Sequence, residues 1–162
     1  MRPRLAFSDL LRGQDFSGSF FEHGWFQTVD FSDCNFTEAR FNDCSFPHVR
    51  FDGACLHGAD FVSDHSTYMV GVSLAACDLT NCNFGNIYTD YRREGPSAKD
   101  RISFTGAKLH GTRFRDADLR RADFTGCIGF DDIMDLEGAN LLGATGLTSE
   151  TLEIARRKGA TC

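Results

Sequence analysis

Five histidines and seven cysteines are the side chains of this 162-residue chain best suited to metal binding, proton transfer or nucleophilic attack. Their spacing supports none of these. His23, His48, His57, His65 and His110 have no partner one helical turn away and no acid at a recognisable distance, and H-E-x-x-H does not occur. Cys34, Cys44, Cys55, Cys77, Cys82, Cys127 and Cys162 include no C-x-x-C pair, so a zinc site has no support. A phosphate loop and a nucleophile elbow are absent. Asn35-Phe36-Thr37 matches a glycosylation triplet by chance, because Phe36 belongs to a series that must be buried. The expectation is a protein that is not an enzyme and that needs no metal or cofactor.

That series is the organising feature. Phe16, Phe21, Phe26, Phe31, Phe36, Phe41, Phe46, Phe51, Leu56 and Phe61 recur at every fifth residue. Two positions before each stands a mostly small residue: Gln14, Ser19, Gly24, Val29, Cys34, Ala39, Cys44, Val49, Ala54 and Ala59. A period of five is neither the 3.6 of a helix nor the 2 of a strand, so no single amphipathic element carries it. A short period held this long marks a repeat architecture in which the chain turns once per unit. Cys34, Cys44, Cys77 and Cys82 fall at the small position, where cysteine serves as a compact hydrophobe.

The units resemble the pentapeptide-repeat family, with a consensus of roughly A-(D/N)-(L/F)-(S/T/R)-G. Val29-Asp30-Phe31-Ser32-Asp33, Ala59-Asp60-Phe61-Val62-Ser63 and Ala122-Asp123-Phe124-Thr125-Gly126 carry the likeness. It implies an all-β, right-handed quadrilateral β-helix with one repeat per side and twenty residues per coil. The central residue and the small one point inward, and the other three face solvent. Phe20 and Trp25, one before a centre, are then outward, covered by the N-terminal segment or forming a partner surface.

In chain order, residues 1–13 are an N-terminal cap, with Phe7, Leu10 and Leu11 over the open end, and residues 14–84 form a first repeat block. Within it the centres after Phe61 are Met69, Leu74, Leu79 and Phe84, which places a three-residue insertion in Ser63 to Thr67. Tyr68 then shares a side with Trp25 and Ser45. Residues 86–100 are expected to leave the rod as a loop, since continuing the period would bury Glu94 and Lys99. A second block, 102–146, has centres at Phe104, Leu109, Phe114, Leu119 and Phe124, stumbles over Cys127 to Met134, and returns at Leu136 and Leu141. A short C-terminal capping helix over 148–158 follows, with Thr148 or Ser149 as its cap, Glu150 and Glu153 early, Arg156, Arg157 and Lys158 late, and Gly159 as its stop. Leu147, Leu152 and Ala155 are expected to press on the last coil.

The net charge of −6 is uneven: through Phe84 there are five arginines against eleven acids, and beyond it twelve of each sign. No apolar run is long enough to span a bilayer, and the basic start, Met1-Arg2-Pro3-Arg4-Leu5, lacks the apolar core of a signal peptide. The reading is cytoplasmic. With the interior committed to packing, function falls to the surface, the loops or the ends, which means binding a protein partner.

Two versions stand. Phenylalanine centres, cysteine at the small position and a mid-rod loop resemble the quinolone-resistance branch of the family, which implies a DNA-mimicking modulator of DNA gyrase or topoisomerase IV and a homodimer through the C-terminal end. Its contacts would be Asp30, Asp33 and Asp52 on one side, diluted by Arg50, with Tyr88, Asp90, Tyr91, Arg92, Arg93 and Glu94 in the loop. The alternative is a scaffold for another protein, met through Trp25, Tyr68 and the loop. Direct nucleic-acid binding is not expected, because Lys108, Arg113, Arg115, Arg120 and Arg121 lack interleaved aromatics and can pair with Asp116, Asp118 and Asp123.

Overall fold

One unit, Asn35 to Ala39, shows why a five-residue period is stable. The Asn35 N–H donates to Gln14 O in the preceding coil, and those of Phe36 and Glu38 donate to Cys55 O and His57 O in the next. The Thr37 N–H goes to Asn35 Oδ1 at 3.0 Å, and the Ala39 N–H closes a turn on Phe36 O at 2.9 Å. Every backbone donor is satisfied with no long strand and no helix, as burial beside an apolar interior requires. Wherever it is described, the residue two after a centre has positive φ, which suits a type II turn. Eleven non-glycine residues adopt it among those described, including Thr28 at φ 55, so the ladder rather than glycine enforces the bend.

The structure is a computed structural model describing residues 11–62, 67–89 and 99–162. Its regular strands are short: β1 (Phe20–Glu22) pairs in parallel with β2 (Arg40–Asn42), and β3 (Thr67–Tyr68) with β4 (Ile87–Tyr88). Parallel bridges extend these contacts into four columns, whose members, Ile128, Thr145 and Thr161 apart, stand just before a centre. The first runs Asp15, Asn35, Cys55, Asp78, Lys108 and Ile128, and the second Phe20, Arg40, Asp60, Asn83, Arg113 and Asp135. The third holds Trp25, Ser45, Tyr68 and Tyr88, continued by Asp118, Asn140 and Thr161; the fourth holds Asp30, Arg50, Ser73, Ser103, Asp123 and Thr145.

Between the columns the centres fill the interior. From Phe31 onward every expected centre is buried, while Phe16, Phe21 and Phe26 are half-buried in the first coil; of the expected cap, Leu11 packs against the core, and Phe7 and Leu10 lie outside the described residues. Rings one coil apart stack nearly parallel, as in Phe21–Phe41 at 4.9 Å and 7° and Phe104–Phe124 at 4.9 Å and 8°. Rings adjacent along the chain meet edge to face, as in Phe41–Phe46 at 83°. Both are favoured aromatic arrangements. The cysteines are free, and Cys34, Cys44, Cys77 and Cys82 are buried at the small position.

Register reveals the insertions. Ser45 bridges Tyr68 across the three extra residues, and Ser73 bridges Ser103 across ten more than a regular coil. The long excursion is narrower than the sequence implies: Asn86 to Thr89 stay in the stack, with Ile87 at the small position and Thr89 at the centre, both fully buried. Asp100 is already back, its carbonyl accepting from Gly71 N at 2.6 Å. Threonine is small enough to continue the interior where Glu94 and Lys99 are not, but its Oγ1 is buried without a hydrogen-bond partner. In the irregular stretch Phe130 and Ile133, each one residue off the period, turn inward and Met134 turns outward. Helix α1 (Ser149–Arg157) follows, with Thr148 Oγ1 accepting from Thr151 N at 3.2 Å. Ala155 is its buried contact, Leu147 packs against the core, and Lys158 Nζ donates to Asp131 O and Ile133 O at 2.6 Å. The chain then re-enters the ladder at Thr161.

Candidate interaction surface

The outward carboxylates have a structural task. Asp30 Oδ1 accepts from Ser32 N at 3.0 Å, and Asp15, Asp60, Asp78, Asp118, Asp123 and Asp135 likewise accept from the N–H two residues on, capping the turn. Burial opposes charge on Asp30, but the Ser32 hydroxyl and N–H, with Arg50, outweigh it and hold its pKa below the ordinary carboxylate value. Arg50 reaches Asp52 at 2.8 Å and Asp30 at 3.7 Å, Ser73 Oγ bonds Asp52, and Arg12 holds Asp33 at 3.0 Å. Asp30, Asp33 and Asp52 do share one side, but as members of ion pairs rather than as a bare acidic stripe.

Three members of the basic cluster are similarly engaged. Arg120 binds Asp118 through two 2.8 Å contacts, Arg115 reaches Asp135 at 2.9 Å and Glu137 at 2.7 Å, and Lys108 reaches Asp78 at 3.3 Å. Asp118 is thus the expected partner of Arg120, while Arg115 takes two acids one coil on. Among the described residues, no group of His, Cys, Asp and Glu side chains is arranged to hold a metal ion. Burial raises the Cys77 thiol to about 12, so it stays protonated near neutral pH.

The third column differs. Trp25 is 69% exposed, Tyr68 44% and Tyr88 40%, and they stand in one ladder with the small Ser45 between Trp25 and Tyr68. The rings of Tyr68 and Tyr88 meet edge to face at 6.2 Å. Pro47 and Val70, each one after a centre, lie beside them and with Trp25 and Tyr68 line an apolar groove. Phe20, 61% exposed, stands on the neighbouring column. An apolar patch this continuous is a feature of interfaces.

Of the sequence-derived contact residues, Trp25, Tyr68 and Tyr88 are brought together, and Asp30, Asp33 and Asp52 gather on the adjoining fourth-column side. Asp90, Tyr91, Arg92, Arg93 and Glu94 lie outside the described residues. Pro47 and Val70 escaped the sequence reading, although counting one past Phe46 and Met69 puts both on the aromatic side. The signal was register, not residue type.

Columns of parallel bridges around a filled interior define a repeat solenoid that offers ladders and edges to a partner. The family model described as Pentapeptide repeats matches eight copies over residues 26–61 and 100–128. Over those residues the chain is built of pentapeptide repeats. Among solved structures it is similar to HetL, a pentapeptide repeat protein involved in heterocyst differentiation regulation from the cyanobacterium Nostoc sp. strain PCC 7120, at 19% identity over 82% of this chain and 74% of that one (TM-score 0.38). It is also similar to a trypsin-treated form of QnrB1, a plasmid-mediated fluoroquinolone resistance protein, at 19% identity over 84% and 81% (TM-score 0.30). A third is a pentapeptide repeat protein from the Arabidopsis thaliana thylakoid lumen, at 21% identity over 94% of both chains (TM-score 0.25). No curated protein sequence matches the chain.

Proposed function

We propose that this protein is a non-catalytic binding module of the cytoplasm, a right-handed, four-sided β-helix that meets a protein partner through its aromatic ladder. The observation that carries the reading is the exposure of Trp25, Tyr68 and Tyr88 in one column. An outward ring gives up the turn cap that aspartate or asparagine supplies at this position elsewhere and leaves much of its apolar surface in water. A partner that covers the rings would recover that burial, since aromatic residues supply much of the energy of protein interfaces. No described helix is long and apolar enough to cross a membrane.

The narrower form of the reading takes the partner to be DNA gyrase or topoisomerase IV, as the resemblance in the repeat residues implies. Mimicry of DNA by carboxylates draws less support, because Asp30 and Asp52 are tied to Arg50, and Asp33 to Arg12. The aromatic ladder is the better contact for such an enzyme. A homodimer through the C-terminal end belongs to the same resemblance. The test is DNA supercoiling by purified gyrase, with and without a quinolone, across a titration of this protein. Rescue from the drug or inhibition without it, lost in the Trp25→Ala/Tyr68→Ala double variant, is the expected result. No effect at concentrations well above the enzyme's would end the topoisomerase form.

A further inference from the structure

We propose that the third-column groove takes a basic, proline-rich peptide in the polyproline II conformation; this rests on the aromatic-ladder reading above and names its class of partner. The groove is about 400 Å³, with Trp25 and Tyr68 as walls and Pro47 and Val70 as floor. Ser45 occupies the ladder position between the two rings. Because that side chain is small, the space between the rings stays open.

The spacing suits this ligand. Coils one bridge apart are separated by about 4.8 Å, so Trp25 and Tyr68, two bridges apart, stand about 9.6 Å from one another along the ladder. A polyproline II helix repeats every three residues at roughly 3.1 Å each, or about 9.3 Å. A peptide lying along the column therefore offers the same face to both rings, with a proline over Ser45. Tyr68 and Tyr88, at 6.2 Å between centroids, leave no room for a second ring and act as one wall. Such a peptide has no internal hydrogen bonds, so its carbonyls need donors. The outward Tyr68 and Tyr88 hydroxyls can supply them. So can Trp25 Nε1, held only by a long 3.5 Å contact to Gln27.

Charge selects within that class. The described rim of the groove carries Glu22 and Asp43 with His23 and His48; Lys99 lies beside Gly71 at the far corner, and Arg120, one coil beyond Tyr88, is bound to Asp118. Arg40 stands on the second column and Arg50 on the fourth, bound to Asp52 and Asp30. Basic residues flanking the prolines complete the match. A single-stranded nucleic acid would also stack on these rings, but its phosphates need a cationic groove that this face lacks.

Trp25 is the sole tryptophan, so its fluorescence reports on the site directly. The probe is a ten-residue peptide with paired prolines every third residue and two terminal arginines, titrated against the whole chain. Saturable binding is expected. Replacing the prolines by alanine, or the arginines by glutamate, should weaken it by about tenfold or more. Tyr68→Ala should cause a loss of at least that size, and Ser45→Phe, which fills the slot without touching the core, should abolish binding; circular dichroism verifies that both variants fold. Equal binding of the alanine peptide, no saturable change with the proline peptide, preference for oligo-dT, or a dimer that buries Trp25 would each overturn the proposal. The wider reading has its own readout: a cross-link from position 45 to a protein that does not respond to proline-rich peptide would keep the aromatic ladder and discard this ligand.

Discussion

The same ladder position does two different jobs in the two halves of the molecule. In the third column the first four coils place Trp25, Ser45, Tyr68 and Tyr88, and the later ones place Asp118, Asn140 and Thr161. Asp118 caps the turn at Arg120 N and binds the Arg120 guanidinium, and Asn140 Oδ1 caps the turn at Leu142 N. The aromatic members do neither. Since the position before a centre is outside the core, its residue type is set either by the turn or by a partner. Within this column the C-terminal half has polar ladder residues serving the fold, and the N-terminal half has rings that cap no turn.

The contrast predicts which changes should affect stability and which should affect binding. The largest effect is expected at a centre common to both designs: Phe46→Ala leaves a cavity in a close-packed stack and should cost about 3–5 kcal/mol by chemical denaturation. In the aromatic ladder, Trp25→Ala and Tyr68→Ala should move stability by less than about 0.5 kcal/mol, as surface changes do. Each should weaken partner binding by about 2 kcal/mol, measured by calorimetry on the complex. Asp118→Ala should show the reverse: a stability loss of about 1.5–3 kcal/mol from the severed charged hydrogen bonds, with binding unchanged.

How much of this the sequence carried depends on whether packing or register decides a position. The centres from Phe16 to Phe61 are readable because each must be a large apolar side chain, and a run of nine phenylalanines and one leucine has no other economical fold. Phe130 and Ile133 are not, because each moves one residue off the period to reach the same interior. Thr89 falls inside the expected loop only because Glu94 and Lys99, the next positions on the period, cannot be buried, yet threonine differs from valine only by exchange of a methyl for a hydroxyl. The sequence places Arg50 among Asp30 and Asp52, but the turn cap on Asp30 and the bonds of Asp52 to Arg50 and Ser73 are seen only in three dimensions. Tyr68 lined up with Trp25 once the three-residue insertion was counted.

The smaller effects test the framework. Thr89→Val should stabilise the protein by about 1 kcal/mol, because it removes a buried hydroxyl that has no partner. Asp30, Asp78 and Asp123 all titrate below the ordinary carboxylate value. For Asp30 and Asp78 burial opposes the shift, and bonds from Ser32 and Thr80 outweigh it; for Asp123 the Thr125 hydroxyl is the main cause. A lowered folded pKa gives stability that is present above the unfolded value and lost as pH falls through the folded one. Thermal midpoints should hold above about pH 5 and decline below about pH 4. Cys77, raised to about 12, works in the opposite direction and should subtract stability as pH climbs above about 9.

The most direct test of the aromatic ladder is a photo-crosslinking amino acid placed in living cells at position 45, between Trp25 and Tyr68, and in a separate variant at position 140 of the same column. A specific protein adduct from position 45, reduced by Tyr88→Ala, and none from position 140 is the expected result. Adducts from position 140 alone, or none from position 45 while the protein is folded and abundant, would contradict the assignment of binding to the aromatic half.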